Sequence, residues 1–223
     1  RKKKAKISTK VIYVFLSILA VIYLLPLLWV IYVSLKDDKT LFVSPWAMPE
    51  HLMIENYSFA WTAGRLGVAT LNSAIVCGVT LILCLLVGSM AAFAIGRMRW
   101  KLSGAMMTYF LTGMMIPVHC ILIPVFTRFS KMHLTNSLTG LILPYLTLSL
   151  PITIFIMTGF FQSLPNELFE SACIDGCSIY RSFTHIALPL SRTGLFVTGL
   201  MTFVANWNEL LLAMVFISDT QKK

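Results

Sequence analysis

Residues 170–189 read Glu-Ser-Ala-Cys-Ile-Asp-Gly-Cys-Ser-Ile-Tyr-Arg-Ser-Phe-Thr-His-Ile-Ala-Leu-Pro, the one long polar insertion in the C-terminal half of the chain. Apolar sequence flanks it on both sides. Residues 134–166 carry no formal charge, and residues 193–218 carry one, Glu209. A hydrocarbon core ~30 Å thick is crossed by about 20 apolar residues in a helix, so each flank is membrane-length and the insertion lies at a membrane surface. Uncharged runs of similar length occupy 11–35, 66–96 and 102–127. With 57% hydrophobic and 12% charged residues, composition excludes a soluble domain. Backbone groups in a bilayer find no water and must be bonded within the chain, which leaves helices for segments of this kind. The expected fold is an all-α, polytopic transmembrane helical bundle. Its five spans fall at about 11–35, 68–95, 103–127, 138–161 and 193–217, with a surface loop at 162–192.

Within the loop, residue chemistry predicts two short helices and a hinge. Pro165 suits a first helical turn, where its missing N–H is no loss. Glu167 and Glu170 then sit near the positive end of the helix dipole. Asp175-Gly176 is a break, since glycine leaves a helix through the left-handed region without strain. Ser178 is a candidate N-cap for the second helix, in which Ile179, Phe183 and Ile186 form one apolar stripe beside Arg181, Ser182 and His185. Pro189 is expected to stop that helix and to disfavour helical backbone at Leu188.

The same residues carry a family resemblance. Glu-Ala-Ala, three residues, Gly, nine residues, Ile, any residue, Leu-Pro is the signature loop of the membrane subunits of bacterial ABC importers. Glu170, Ala172, Gly176, Ile186, Leu188 and Pro189 fall on that spacing, with Ser171 in place of one alanine. Asn72-Ser73, Gly96-Arg97, Ile116-Pro117, Ile123-Pro124 and Asn136-Ser137 through Leu143-Pro144-Tyr145 also resemble carbohydrate-importer permeases of the maltose type, so that the likeness covers residues 10 to 218. The resemblance implies a transport subunit and no enzyme. It implies a second permease subunit, with a heterodimer expected, separate ABC ATPase subunits and an extracytoplasmic solute-binding protein delivering carbohydrate. It also implies that the loop, through Glu170, Ala172, Asp175, Gly176, Ile179, Phe183, Ile186, Leu188 and Pro189, meets the ATPase as a cytoplasmic coupling helix. Permeases of this kind have a sixth span, so the chain, which starts without Met and ends at Lys223, is expected to be a fragment.

Charge sets an orientation. With five spans, segments 1–10, 97–101 and 162–192 share one side and hold 11 of the 18 Lys and Arg residues. Segments 36–65, 128–133 and 219–223 hold the other 7. The positive-inside bias puts a basic N-terminus (1–10) and the 162–192 loop in the cytoplasm, followed from residue 11 to 223 by a single transmembrane domain in the bacterial plasma membrane, surrounded by lipid. The net charge of +9 is a topology signal and gives no reason to expect nucleic acid. Residues 36–65, with Trp46, Trp61 and four acids, read equally as a solvated connector and as a surface meeting a delivery protein.

Gly88, Ala92 and Gly96 lie four residues apart, a small-residue face for close helix packing. Pro117, Pro124, Pro144 and Pro151 point to kinked helices around a pathway, with simple packing irregularity as the plain alternative. The five cysteines have no metal-ligand spacing, no G-x-x-x-x-G-K-[ST] loop occurs, and neither a metal nor a cofactor is expected. Asn206, Trp207, Asn208 and Glu209 form the last polar cluster. An ionisable group at this depth faces a bundle interior or an aqueous cavity, and Trp beside amides suits a sugar, so the cluster is a candidate translocation pathway. A helix–helix hydrogen-bonding cluster is the plain alternative. Peptide, amino-acid or phosphate-ester cargo stays open, because the loop motif is shared across cargo classes. An ion-coupled secondary transporter would need several intramembrane charges and an internal repeat; a membrane-embedded enzyme would need a catalytic constellation, and neither signal is present.

Overall fold

The computed structural model describes residues 2–49, 51–98 and 100–218, with side chains described from residue 9 on. Arg1 of the expected 1–10 segment, Glu50, Arg99 and the 219–223 tail lie outside the described residues. The chain divides into two units, one up to Gly67 and one from Val68 on.

In the first unit, α1 (Lys2–Ser34) fulfils the first expected span, with Pro26 inside it. Its last turn is closed by Asn56, whose Nδ2 donates to the Ser34 and Lys36 carbonyls at 2.9 Å each, satisfying groups a helix end leaves orphaned. Asp37 then caps α2 (Asp38–Val43) by accepting from the Thr40 N–H. The chain after α2 folds back along α1. The Lys36 ammonium, only 2% exposed, donates to the Pro45 carbonyl at 2.7 Å and lies 4.5 Å over the Tyr32 ring. Trp46 lies 4.1 Å, ring to ring, from Trp29 of α1. The short α3 (Glu55–Thr62) completes this unit.

The second unit is built on α4 (Leu66–Arg97), α7 (Leu138–Ser163) and α11 (Arg192–Trp207). The small-residue face of α4 is used as expected. A Cβ on Gly88 would come within 2.5 Å of Thr153 Cγ2, one on Gly96 within 3.2 Å of Thr158 Cγ2, and Ala92 between them is fully buried. Val76 packs with Leu141 and Tyr145 in one core cluster, and Phe93 with Met157 and Phe161 in another. Helices α4 and α7 therefore run parallel. Gly194 abuts Phe160 while Asn206 bonds Ser149, so α11 runs antiparallel to both.

The segment expected to span at about 103–127 is broken at Pro117, one of the prolines that mark a kink. Helices α5 (Ser103–Met114) and α6 (Val118–Lys131) meet at 93°. Pro117, with φ −62° and ψ 134°, stands at the N-cap of α6; a proline there cannot donate back to the preceding turn. At ~1.5 Å per residue neither piece crosses a bilayer alone. Because α4 and α7 are parallel, the bent pair must carry the chain back across the bundle, and it counts as one span. The turn into α7 is set by Asn136 at φ +56° and by Ser137, whose Oγ accepts from the Gly140 N–H. The expected span at 193–217 is also divided: α11 stops at Trp207 and α12 (Leu211–Phe216) follows. Asn136 holds the far end of α12, accepting from the Ser218 N–H at 2.7 Å.

Candidate functional site

The 162–192 loop has the helix–hinge–helix form its residues predict. Pro165 stands just before α8 (Asn166–Ile174), and Glu167 lies in its first turn. Gly176 exits at φ +71°. The Gly176 N–H donates to the Cys173 carbonyl at 3.0 Å and the Cys177 N–H to the Ala172 carbonyl at 2.8 Å, the closure a left-handed residue makes possible. Ser178 caps α9 (Ile179–Ser182), accepting from the Arg181 N–H at 3.4 Å.

Pro189 corrects the sequence reading. Helical backbone continues through α10 (Leu188–Leu190) and ends at Ser191, where the axis turns by 76° into α11. A π-helical turn at Phe183–Ala187 explains this. The Leu188 N–H bonds back five residues to the Phe183 carbonyl, and the wider turn makes room for the proline ring that a regular helix would exclude.

One face of the loop is seated on the span ends. Ala172, Ser182 and Ala187 are buried. Phe169 and Phe183 lie 6.2 and 5.2 Å from Phe93, and Phe183 lies 6.3 Å from Phe161. Ile186 and Leu188 are half-buried. Ile179 is not part of the inward stripe; it is exposed. The outward face carries Glu170, Asp175, Gly176, Ile179 and Pro189, together with Ile174 at 87% and Tyr180 at 76% exposure.

Arg97 is the residue that sequence reasoning missed. Its Nε donates to the Phe161 carbonyl at 2.7 Å, its Nη1 to Asn166 Oδ1 at 2.6 Å and its Nη2 to the Leu164 carbonyl. The guanidinium also sits 4.6 Å over the Phe169 ring. One side chain at the end of α4 thus ties the carbonyls ending α7 to the start of α8. A planar five-donor fork can do this and an ammonium cannot. The sequence signals were its place just after the last small residue of α4 and the Gly96-Arg97 pair in the family resemblance, neither of which names its partners.

The second cluster surrounds a cavity of 380 Å³ lined by Asn72, Ser73, Tyr145, Asn206, Trp207 and Glu209, among others. A neighbouring cavity of 320 Å³ shares Tyr145, Asn206 and Glu209. Asn208 lines neither; its Nδ2 donates to the Val204 carbonyl of its own helix. Glu209 sits at the break between α11 and α12, accepting from the Leu212 N–H at 2.9 Å, the Ala213 N–H at 3.3 Å and the Tyr145 hydroxyl at 2.8 Å. Its carboxylate therefore caps α12 and, through Tyr145, ties that break to α7, while the residue also lines the cavity. Asn206, 7% exposed, accepts from the Ser149 hydroxyl at 3.2 Å. Trp207 stacks one face on Phe203 at 5.4 Å. Among the described residues, no three His, Cys, Asp or Glu side chains converge as a metal site.

Residues 84–221 match the family described as the binding-protein-dependent transport system inner membrane component. The chain is 36% identical to a diacetylchitobiose uptake system permease protein of Streptomyces coelicolor, over 91% of this chain and 67% of the relative. It is 34% identical to a sulfoquinovosyl glycerol transport system permease protein of Agrobacterium fabrum (91% and 72%). It is 32% identical to a trehalose/maltose transport system permease protein of Thermococcus litoralis (91% and 73%). Members of the family work with an ATPase and a solute-binding protein, and supply the membrane part of the importer without being enzymes themselves. The chain belongs to the binding-protein-dependent transport system inner membrane components, the permease subunits of ABC importers.

Proposed function

We propose that this permease lines a carbohydrate pathway and couples it to its ATPase through the 162–192 loop. The cargo class rests on relatives named for diacetylchitobiose, sulfoquinovosyl glycerol and trehalose/maltose uptake. The observation that carries the coupling role is the two-faced loop. Its aromatic side is bonded to the ends of α4 and α7, and its outward side presents Glu170, Asp175, Ile174 and Tyr180 around the left-handed Gly176. Contacts of Phe169, Phe183 and Arg97 link the loop to the ends of α4 and α7, and α11 leads from it to Asn206 and Trp207. In this reading the N-terminus and the loop are cytoplasmic, residues 36–65 are outside, and a second, non-identical permease completes the pathway.

Two measurements test it. In a Cys-free background, an impermeant thiol reagent added to intact cells should label a cysteine at Ser44 and spare one at Ser178; the reverse pattern sinks the orientation. With the complete transporter in proteoliposomes, a saccharide panel delivered by the binding protein should stimulate ATP hydrolysis. No stimulation by any saccharide would refute the cargo class.

A further inference from the structure

We propose that residues 42–48 are a membrane-interface anchor, a hook that folds back along α1 and sets Phe42, Val43, Trp46 and Met48 into the lipid headgroup layer, with Lys36 as its clasp. The anchor needs α1 to be a membrane span and is independent of cargo and of coupling. Its depth is set by α1. Trp46 lies 4.1 Å, ring to ring, from Trp29, which stands five residues inside the Ser34 end of the helix, about 7 Å at the helical rise. The Tyr32 hydroxyl donates to the Ala47 carbonyl. Two consecutive residues of the hook are thus fixed beside the last turns of a helix whose residues 11–35 carry no charge. Composition agrees with that depth. No charge falls between Thr40 and Pro49, although Asp37-Asp38-Lys39 precede this run and Glu50 follows it. Phe42, Val43, Trp46 and Met48 are 79–84% exposed, and a contiguous apolar patch of that kind marks an interaction site.

Lys36 is the first charge after the span, and it holds the hook down. Its ammonium donates to the Ser44 carbonyl at 3.3 Å and the Pro45 carbonyl at 2.7 Å and takes the Tyr32 ring face as well. Ser44, beside that ammonium, stays at the water boundary and open to water-soluble reagents. The depth of Trp46 selects lipid over protein as the occupant. A soluble protein docks above the headgroups, whereas Trp46 sits beside the apolar part of α1. Trp and Tyr are the residues that bilayer interfaces favour, and interfacial segments bury their apolar side by about 5–10 Å. An anchor here has a use. The 33 residues of α1 exceed the ~20 that cross a hydrocarbon core, so hydropathy alone lets the helix slide, and Trp, Tyr and Lys at the interface fix its position.

The test uses the whole transporter in vesicles of phosphatidylcholine and phosphatidylglycerol, Cys-free except for one nitroxide-labelled cysteine at Phe42 or at Met48. Collision of the label with oxygen, which concentrates in lipid, is compared with collision with a water-soluble nickel chelate. A lipid carrying its nitroxide near the glycerol gives the membrane reference, and a label at the exposed Asp38 gives the water reference. Both hook labels should favour oxygen as the lipid reference does, and saturating binding protein should leave them unchanged. Lys36→Ala should move the Met48 label toward the water reference; Tyr32→Phe, which removes the bond to Ala47, repeats this arm if the alanine variant fails to assemble. Labels that favour nickel overturn the proposal and make the segment a solvated connector. Labels shielded from both reagents overturn it in favour of the second permease. Shielding that appears only with binding protein overturns it in favour of the delivery protein. A Met48 label unmoved in both clasp variants overturns the role of Lys36.

Discussion

The Tyr145 hydroxyl donates to a Glu209 carboxylate oxygen at 2.8 Å, joining the first half of α7 to the gap between α11 and α12. The bond connects the only acid of the last apolar segment to a phenol that is 3% exposed. Together with the Leu212 and Ala213 N–H groups, it lets the chain break a helix inside a membrane-length segment while the opened backbone stays bonded. That is the condition under which irregular backbone is tolerated at such depth.

Glu209→Ala should therefore act on stability first. Loss of a capping side chain costs about 0.5–2 kcal/mol, so the purified variant should melt earlier, and hydrogen exchange should rise at residues 210–217. Glu209→Gln keeps an oxygen for Tyr145 and should lose less. A variant as stable as wild type that transports with altered sugar preference would make Glu209 a substrate ligand instead.

Arg97 offers a second test, because three hydrogen bonds and a ring contact converge on it. Hydrogen bonds made by a charged group contribute about 1.5–3 kcal/mol each when buried, less here because Arg97 is half-buried. Arg97→Ala should expose residues 164–170 to proteolysis and uncouple ATP hydrolysis from substrate. Arg97→Lys should rescue only in part, since an ammonium cannot span the three acceptors. Full substrate stimulation in both variants counts against Arg97 as the tie between α4 and the loop.

At Gly176 the two reasons for a glycine can be separated. A Cβ there meets nothing within 4 Å, but φ is +71°. Gly176→Val should strain the chain by roughly 1–2 kcal/mol, whereas Gly176→Asn, which tolerates the left-handed region, should fold nearly as well as wild type. If the ATPase approaches closely at this point, both variants should lose co-purification. Recovery by Asn alone would assign the effect to backbone strain. Glu170→Lys, on the exposed face, should lose ATPase association without loss of insertion; undiminished association would deny it a coupling role.

Close approach of α4 and α7 gives the fourth test. Gly88→Val would drive a side chain into Thr153, and overpacking of this kind costs about 1–3 kcal/mol. Gly78→Ala, where a Cβ has nothing within 4 Å, is the control and should leave the melting temperature unchanged. Gly88→Val with Thr153→Ala should recover part of the loss. Equal effects at Gly88 and Gly78 would mean that the helices do not meet as described.

Much of this was legible in the sequence, for particular reasons. The spans at α1, α4 and α7 follow from transfer free energy, which depends on composition alone. The loop hinge follows from a local constraint, since Gly176 can adopt a positive φ that Asp175 and Cys177 take up only with strain. Ser178 announced the start of α9 because an N-cap bond closes within three residues. Gly88, Ala92 and Gly96 marked a close-packing face, though not its partner.

What only tertiary structure decided involves groups far apart in the chain. Arg97 reaches residues 64 to 69 positions away, and Tyr145 meets Glu209 across 64; no local pattern encodes either pairing. Pro189 was misread because the proline penalty assumes a regular helix, and the π turn at Phe183–Ala187 removes that assumption. Pro117 marked a kink, but the 93° size of the bend at Met115–Pro117 was hidden, since neither a proline nor hydropathy reports a segment's direction. The sequence by itself determined a helical membrane protein with a Gly-hinged surface loop, because burial in lipid and local dihedral preferences are properties of short stretches. Which side chains hold that loop to the spans was decided by the parallel packing of α4 on α7, a relationship that exists only once the chain has folded.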